Sequence, residues 1–450
     1  MSVQTRRQEA VTEQLLGRYR QEVASSHGFK TISNAVRKSG IQAVAIDPDR
    51  VAAMTHTYSL DIETSAVTHQ KQSGRCWMFA ALNVLRHHVE QDLKLKSFEF
   101  SQNYTMFWDK FEKSNAFLEN ILETAAEPYD SRVVAFLLES PVGDGGQWDM
   151  FVALVEKYGL VPKDAMPETF QSSQSRAMNM LITVKLREDA VKLRRLVAEK
   201  ASDSAVQAAK ETMLGEIYRI LVANLGAPPK SFDFEYKDKD GNFHAERNLN
   251  PKSFLEKYVK INLDDYVSLI NAPTDDKPMN RTYTVRFLAS VKDGRPVVYL
   301  NLPIDELRRV ALAQLEDKEP VWFGCDTGKM LRRDLGIWDR GLFDYETVYD
   351  TDFGMTKEER LLFHETAMNH AMVFTGVDVV DGVPKRWRVE NSWGPDNADK
   401  GFYTMNDSWF DEHMFEIAAP KGLLPAELQA ALELAPIVLP AWDPMGSLAR

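Results

Sequence analysis

The sequence predicts an α+β fold in which helices come first, an antiparallel sheet comes late, and a large insertion lies between them. Three observations support this prediction. A helical pattern that is apolar almost all round begins at Cys76. Strongly helical sequence then runs through residues 156–225. Apolar, β-branched runs follow after residue 296, and an Asp381-Gly382 turn joins two of them as a hairpin. Helices and strands segregated in this way are typical of α+β proteins.

The first elements lead into a dense motif. Residues 3–24 have the charged, amphipathic pattern of a surface helix, and residues 44–68 indicate loops and short extended segments. The motif itself reads Gln70-Lys-Gln-Ser-Gly-Arg-Cys76-Trp77. Because the sequence after it is apolar on all sides, we expect a buried central helix from about residue 76 to residue 91.

The later elements alternate between the two types. Helical residues 156–225 are interrupted near Ser202-Asp-Ser204, where serine and aspartate can cap a new helix. Residues 232–247 then alternate around Asp240-Gly241, which predicts a hairpin. Further strands are predicted from the remaining apolar runs, at residues 296–302, 320–324, 370–380 and 386–390.

Composition and charge restrict the class of protein. Hydrophobic residues make up 44% and charged residues 27% of the 450 residues, so a sizeable core can form and a single simple module is not expected. The net charge of −12 argues against nucleic acid as a partner. Two cysteines exclude a disulfide scaffold and a four-cysteine zinc site. Since residues 1–24 lack a signal-peptide core and no run of eighteen apolar residues occurs, we expect a cytoplasmic protein without a membrane partner.

Cys76 is the first candidate catalytic residue. It lies where a glycine-containing loop becomes a helix, and the positive end of the helix dipole lowers the pKa of a thiol placed there. A thiolate is the nucleophile that acyl transfer needs. Most cysteines are nevertheless buried and inert, so Cys76 alone does not decide the function. Cys325, inside an apolar run, is expected to be such a core thiol.

His370 and Asn391 are the candidate partners of this thiol. His370 opens one predicted strand, and Asn391 follows 21 residues later, at the end of the strand that pairs with it. A hairpin of that length returns the chain beside its start, so an asparagine carbonyl can accept the imidazole N–H and fix its tautomer. Trp393 is placed to shield that bond from water. Considered separately, His370 and Asn391 are also compatible with locally satisfied strand and turn residues.

Two further positions are candidates for contacts with a substrate. Gln70 lies six residues before Cys76, so its side-chain amide can swing back and donate to a developing oxyanion together with the Cys76 backbone N–H. Gly145 and Gly146 form a glycine pair, and the family resemblance described below implies that its backbone hydrogen-bonds an extended substrate. An ordinary glycine loop is the alternative for that pair.

Taken together, these residues resemble the papain-type cysteine peptidases. The resemblance rests on Gln70…Cys76-Trp77, Asn369-His370-Ala371 and Asn391-Ser392-Trp393-Gly394. The sequence departs from papain at Ser73, where papain-like enzymes have a disulfide cysteine, and at Arg75. Its interval of 294 residues from Cys76 to His370 is also about twice that of papain.

These departures point to the bleomycin hydrolase branch of that family, which includes the bacterial aminopeptidases C. Supporting motifs, distributed over nearly the whole chain, are Asp144-Gly-Gly-Gln-Trp148, Pro320-Val-Trp-Phe-Gly-Cys-Asp326 and Leu439-Pro-Ala-Trp-Asp-Pro-Met445. The resemblance implies a papain-like core with a large, mainly helical insertion, a cytosolic homohexamer, aminopeptidase activity on peptides with a free N-terminus, and no metal or organic cofactor. It divides the chain into a helical half with the nucleophile, an insertion, a β half and a C-terminal arm, at residues 1–155, 156–300, 301–433 and 434–450.

The C-terminal arm is expected to set the mode of cleavage. Pro436, Pro440 and Pro444 forbid a continuous helix and predict an extended segment, and its apolar residues predict that it docks on the protein. The resemblance implies that the arm lies in the substrate cleft and that its terminal carboxylate, on Arg450 or on Ala449 after trimming, meets the substrate α-ammonium. The alternative is a surface-packed terminus.

The expected mechanism is thioester formation at Cys76, with His370 as acid and base, Asn391 as its orienting partner and Gln70 at the oxyanion. Three alternatives stay open at this point. A papain-like endopeptidase would use the same three residues, whereas a transglutaminase would usually place aspartate at the position of Asn391. The third is a non-catalytic binding protein; one that binds nucleic acid would do so with strong salt dependence, and the net charge of −12 disfavours it.

Overall fold

The computed structural model describes residues 9–449, which form two compact units. The smaller unit comprises the chain up to Met54 together with Arg340–Met355. The larger unit comprises Thr55–Asp339 and the chain from Thr356 onward, and it contains every described candidate site residue. The predicted division into four segments remains a prediction.

Residues 9–449 form seventeen α-helices, which are α1 (Glu13–Ser25), α2 (His27–Ser39), α3 (Ile41–Ala45), α4 (Pro48–Ala53), α5 (Cys76–Asp92), α6 (Gln102–Glu123), α7 (Arg132–Glu139), α8 (Trp148–Tyr158), α9 (Phe170–Ser173), α10 (Arg176–Ala198), α11 (Asp203–Leu225), α12 (Pro251–Tyr258), α13 (Ile304–Glu316), α14 (Tyr345–Tyr349), α15 (Lys357–Leu362), α16 (Asp407–His413) and α17 (Ala426–Leu432). Four short 3₁₀ helices occupy Lys163–Ala165, Leu263–Asp265, Lys421–Leu423 and Pro444–Ala449.

The same residues form fourteen strands, which are β1 (Leu60–Asp61), β2 (Phe232–Lys237), β3 (Phe243–Leu249), β4 (Tyr266–Ile270), β5 (Arg281–Val285), β6 (Tyr299–Asn301), β7 (Val321–Cys325), β8 (Leu331–Arg332), β9 (Ile337–Trp338), β10 (His370–Val380), β11 (Val383–Glu390), β12 (Phe402–Asn406), β13 (Met414–Pro420) and β14 (Ile437–Leu439).

The smaller unit consists of α1 to α4 and α14. The helix predicted over residues 3–24 begins at Glu13 in the structure, and residues 1–8 lie outside the described part. The Thr12 side chain caps α1, since its hydroxyl oxygen accepts the Leu15 N–H at 3.2 Å. The backbone N–H of Asp344 donates to Ala45 at 2.7 Å, which joins the two chain segments of this unit.

The larger unit is built on one twelve-stranded sheet with the order β14-β5-β6-β4-β13-β7-β10-β11-β12-β9-β8, in which β1 pairs with β10. The β10–β11 hairpin is antiparallel, as predicted, and Asp381 and Gly382 adopt φ angles of 53° and 79° in its turn. The sheet as a whole is mixed, because β4–β6, β5–β14 and β9–β12 are parallel pairs that the predicted antiparallel sheet did not include. Short parallel contacts of this kind join segments far apart in the chain, so a local pattern does not reveal them.

Two apolar cores flank this sheet. One surrounds α5, whose residues Trp77, Met78, Val84 and Leu85 are completely buried, and the other includes Phe323, Phe374 and Trp387. The apolar pattern that predicted a central helix after Cys76 is therefore confirmed, and so is the α+β fold class.

The segment predicted as an insertion has two parts. Its first part contains the long helices α10 and α11, and the Ser202 side chain caps α11 as predicted. Its second part contains the predicted β2–β3 hairpin and then β4 to β6, which belong to the large sheet. Within residues 9–449, no helix is both long enough and apolar enough to cross a membrane.

Candidate active site

Cys76 is the first residue of α5, directly after the N-cap residue Arg75. The side chain is buried, with 4% of the residue exposed. The backbone N–H groups of Ala371, which follows His370, of Trp77 and of Cys76 itself lie close enough to favour the thiolate and so lower the pKa of Cys76. Burial nevertheless raises the pKa of the Cys76 thiol to about 11. The expected lowering by the helix dipole is therefore outweighed, because desolvation penalises the thiolate more than the three N–H groups stabilise it.

His370 and Asn391 are brought together as the sequence predicted. The His370 ring nitrogen Nε2 donates to Asn391 Oδ1 at 2.9 Å, and the backbone N–H of Ser392 donates to the same oxygen at 2.8 Å. The Trp393 ring lies over the histidine, with ring centroids 4.9 Å apart. This cover excludes water from the hydrogen bond. Burial lowers the pKa of His370 to about 4, so the imidazole is neutral at rest and its other nitrogen is available to accept a proton.

The sheet explains how the two halves of the site meet. His370 begins β10, which lies between β7 and β11, and Asn391 follows directly after β11. Helix α5 packs against β10, and the Ala371 backbone N–H is close enough to the Cys76 sulfur to favour its thiolate. A buried thiol, a neutral imidazole and an orienting amide thus form one contiguous site.

Gln70 is fixed by hydrogen bonds at both ends of its side-chain amide. Its Oε1 accepts from the Ser392 hydroxyl at 2.6 Å, and its Nε2 donates to the backbone oxygen of Ser73 at 2.6 Å. The backbone N–H of Gln70 donates to the Ser392 oxygen at 2.9 Å. Since an amide nitrogen carries two hydrogens, one donor of Gln70 is left for a ligand.

Packing in the protein interior also requires a glycine in the pair Gly145-Gly146. A Cβ atom on Gly146 would lie 2.4 Å from the Trp77 ring, so only glycine fits at this close approach. The carbonyl oxygen of Gly145 accepts from the Lys113 ammonium at 2.5 Å. These contacts fix the loop beside the nucleophile helix and leave the predicted substrate contacts of the pair as a prediction.

The C-terminal arm docks on the larger unit, as predicted. Met445 and Leu448 are buried, and the Ser447 hydroxyl donates to the Met368 oxygen at 2.7 Å, two residues before His370. The Gln147 side chain donates to the Met445 oxygen at 3.3 Å. The segment is extended only at β14, because Pro444–Ala449 forms a 3₁₀ helix, which the proline spacing does not forbid.

Of the two candidate residues at the end of the chain, Ala449 is described by the structure and Arg450 is not. Ala449 is half-buried and lines a cavity of about 310 Å³ together with Gly446, Gly143, Met150 and Leu288. Arg450 lies outside the described residues.

Sequence reasoning missed the charged residues that hold the nucleophile loop. Asp144 was quoted only as part of a glycine motif, yet its carboxylate accepts the Gly74 N–H at 2.9 Å and a Lys110 N–H at 2.5 Å. Arg75 was noted only as a departure from papain, yet it is buried and makes two hydrogen bonds to Glu168, at 2.9 and 2.7 Å. The signals available in the sequence were an arginine directly before an almost entirely apolar helix and an aspartate directly before a glycine pair; the partners of both side chains depend on tertiary packing.

The papain-like α+β fold and the family comparison define the class of the protein, which is that of the cysteine peptidases. The chain belongs to the Peptidase C1-like family, whose sequence model matches residues 10–446.

The relatives match nearly the whole chain. Aminopeptidase C of Listeria monocytogenes serovar 1/2a is 49% identical over 415 residues, which cover 92% of this chain and 93% of the relative. Human bleomycin hydrolase is 44% identical over 396 residues, which cover 86% and 87%. The crystal structure of PepW from Lactobacillus rhamnosis HN001 superposes with a TM-score of 0.96 at 52% identity and covers 97% of this chain and 99% of that one. The resemblance predicted from the motifs is confirmed.

Proposed function

We propose that the protein is a cytosolic aminopeptidase that removes N-terminal residues from peptides through a Cys76 thioester. The observation that carries this proposal is the site in which Asn391 orients His370 at 2.9 Å and the neighbouring Ala371 N–H meets the Cys76 sulfur. The similarity to proteins called aminopeptidase C supports the specificity for free N-termini.

The reaction follows from the positions of these groups. Cys76 transfers its proton to His370 as its sulfur attacks the scissile carbonyl carbon, which creates a tetrahedral oxyanion. The free N–H of Gln70 and the Cys76 backbone N–H stabilise that oxyanion. His370 then gives the proton to the leaving amine as the C–N bond breaks and a thioester remains. Water attacks the thioester, His370 takes a proton from it, and the acid leaves as the thiol is restored.

The docked arm supports the exopeptidase mode. The Ser447 hydroxyl reaches the backbone two residues before His370, and Gln147, directly after the glycine pair, holds Met445. An arm in this position leaves little room for substrate upstream of the cleaved bond. Its terminal carboxylate, on Arg450 or on Ala449 after trimming, then pairs with the substrate α-ammonium in a partly desolvated site.

We also propose that the protein assembles with copies of itself, as a homohexamer. Helix α10 supports this, because Met180, Val184 and Val191 lie on one face of it and are 60%, 60% and 54% exposed. An apolar stripe of this kind is typical of a protein–protein interface. A ring that encloses the active sites would admit peptides and unfolded chains only.

The decisive experiment compares aminoacyl-anilides that have a free or an acetylated amine. The wild-type protein should cleave only the free-amine substrate. Cys76→Ala should abolish this turnover, whereas the matched variant Cys325→Ser should retain it, because Cys325 is a completely buried core thiol. Turnover by Cys76→Ala, or equal cleavage of acetylated substrates by the wild type, would reject the proposal.

A further inference from the structure

The loop that leads to the nucleophile is attached to Ser392 at Gln70, and its remaining attachments come from the segments around Asp144 and Glu168. We call residues 70–75 the nucleophile loop. The backbone N–H of Gln72 donates to the Ser173 oxygen at 2.9 Å, and Arg75 is bonded twice to Glu168. Both partners lie in the segment just before α10. No covalent link holds this loop, because Ser73 occupies the position at which papain-type enzymes have a disulfide cysteine.

Asp144 makes the third of these remaining attachments. Its Oδ2 accepts the Gly74 N–H at 2.9 Å, and a Cβ atom on Gly74 would lie only 2.9 Å from the Asp144 Cβ. Since real Cβ contacts are longer than this, the loop approaches Asp144 as closely as it does only because residue 74 is glycine.

The Asp144 carboxylate is itself held by α6 and by the start of α10. Its Oδ1 accepts from the Lys110 ammonium at 2.5 Å and from Asn179 Nδ2 at 2.7 Å, and the Ser175 hydroxyl donates to Oδ2. Lys110 is completely buried, so this ion pair is little screened by water. Burial alone would raise the pKa of Asp144, but Lys110 and the hydrogen bonds outweigh it and hold the pKa well below the usual value.

We infer that Asp144 is a positioning residue for the oxyanion site. By holding the Gly74 N–H against α6 and α10, it fixes the loop whose two ends carry the Gln70 amide and the Cys76 backbone N–H. In this enzyme an ionic attachment thus does the work that a disulfide does at this loop in papain-type enzymes. The inference rests on the proposed function only in naming those two groups as oxyanion donors.

The test perturbs this attachment from both sides. Gly74→Ala pushes the loop away from Asp144, and Asp144→Asn removes the charge that Lys110 holds. Asn179→Ala is a milder third variant in case either of these fails to fold. Gly215→Ala is the matched control, because Gly215 lies within α11 and a Cβ atom there would meet nothing within 4 Å.

Two ligands separate positioning from plain stability. An amino aldehyde adds to the Cys76 thiol as a hemithioacetal: the S–C bond forms, the C=O π bond breaks, the thiol proton passes to His370 or to the oxygen, and that oxygen occupies the oxyanion position. The corresponding amino alcohol cannot form this adduct, and the affinity of each is measured by protection of Cys76 from iodoacetamide. We expect Gly74→Ala and Asp144→Asn to lose about tenfold or more of aldehyde affinity and Asn179→Ala to lose less, because a displaced oxyanion donor costs part of the ~10²–10³-fold that a removed donor costs. Affinity for the alcohol and the KM for an aminoacyl-anilide should stay within about twofold, while kcat falls in parallel with aldehyde affinity.

Unchanged aldehyde affinity in the folded variants would overturn the inference. So would an equal loss for both ligands, or the same loss in Gly215→Ala. Because protection from alkylation needs no turnover, the result stands even for a wild-type protein that fails to cleave the anilide. Failure of the wild-type protein to cleave the anilide would reject the proposed function, but the role of Asp144 would still be decided by the two affinities.

Discussion

Cys76 and His370 are both buried, and desolvation acts on their pKa values in opposite directions. Desolvation raises the pKa of the Cys76 thiol to about 11 and lowers the pKa of the His370 imidazole to about 4. At neutral pH we therefore expect the pair to rest as a thiol and a neutral imidazole, and in the proposed mechanism the proton moves when substrate arrives. An ion pair at rest would require the two charges to compensate their loss of hydration within the site.

Alkylation by iodoacetamide distinguishes these states, because only the thiolate reacts. With a thiol pKa of about 11, the rate should rise by about tenfold for each pH unit between pH 6 and pH 9. The Cys76→Ala variant gives the background from Cys325. A flat rate between pH 5 and pH 8 would contradict this prediction and show a resting thiolate–imidazolium pair.

Glu416 is a second buried group whose protonation should be measurable. Desolvation raises its pKa from 4.5 to about 8, and Ser268 and Asp149 are its polar neighbours. Between these values the folded state binds more protons than the unfolded state, so the free energy of unfolding should fall as the pH rises from 5 to 8.

The variant Glu416→Gln should remove most of this fall, which we expect to be about 1–4 kcal/mol. Chemical denaturation at pH 5.5 and pH 8.5 measures it. Asp407→Asn is the matched control, because it also replaces a carboxylate by an amide, but at a partly exposed position. The Asp407 side chain is 18% exposed beside Arg308 and accepts the Trp387 indole N–H at 2.9 Å. If Glu416→Gln kept the pH dependence of the wild type, the carboxyl group would not be its source.

At the scale of single elements, the C-terminal arm gives the clearest prediction. A chain ending at Pro444 loses the 3₁₀ helix and the contacts of Ser447 and Met445 near His370. We expect the rate at which N-terminal residues are removed to fall by about tenfold or more, because a buried charge-assisted contact with the substrate is lost. Cleavage of N-acetylated peptides should appear.

The matched control for the truncation is Val438→Ala, because Val438 is 64% exposed on β14 and its loss should leave the end of the arm in place. Mass spectrometry of peptide digests measures both activities. If the truncated enzyme still refused blocked peptides and removed N-terminal residues at the normal rate, the arm would be only a structural terminus.

The elements that the sequence predicted well are those with a local cause. Helix α5 and the β10–β11 hairpin follow from an apolar periodicity and an Asp-Gly turn, and the hydrogen bond between His370 and Asn391 follows from that hairpin. The parallel pairing of β14 with β5 has no local signal. The apolar pattern predicted a buried helix, but it does not give the desolvation of Cys76 at the first turn, which reversed the expected direction of its pKa, because that desolvation depends on packing between distant segments.

At the scale of the whole molecule, light scattering tests the proposed assembly. One chain has a mass of 51.2 kDa, so a hexamer should scatter as a particle of about 307 kDa. Val184→Glu places a charge in the exposed apolar stripe of α10 and should reduce this mass, because burying an unpaired charge is costly. Gln207→Glu, on an exposed position of α11, should not. A particle near 51 kDa for the wild type would reject the assembly.

The order of the site residues along the chain has a consequence for the time at which the enzyme becomes active. Cys76 emerges from the ribosome 294 residues before His370, which corresponds to about 15–60 s of translation. Until β10 and β11 are complete, the thiol has neither its base nor the Ala371 N–H. On the proposed mechanism, a growing chain therefore carries a thiol that cannot hydrolyse peptides until β11 is complete.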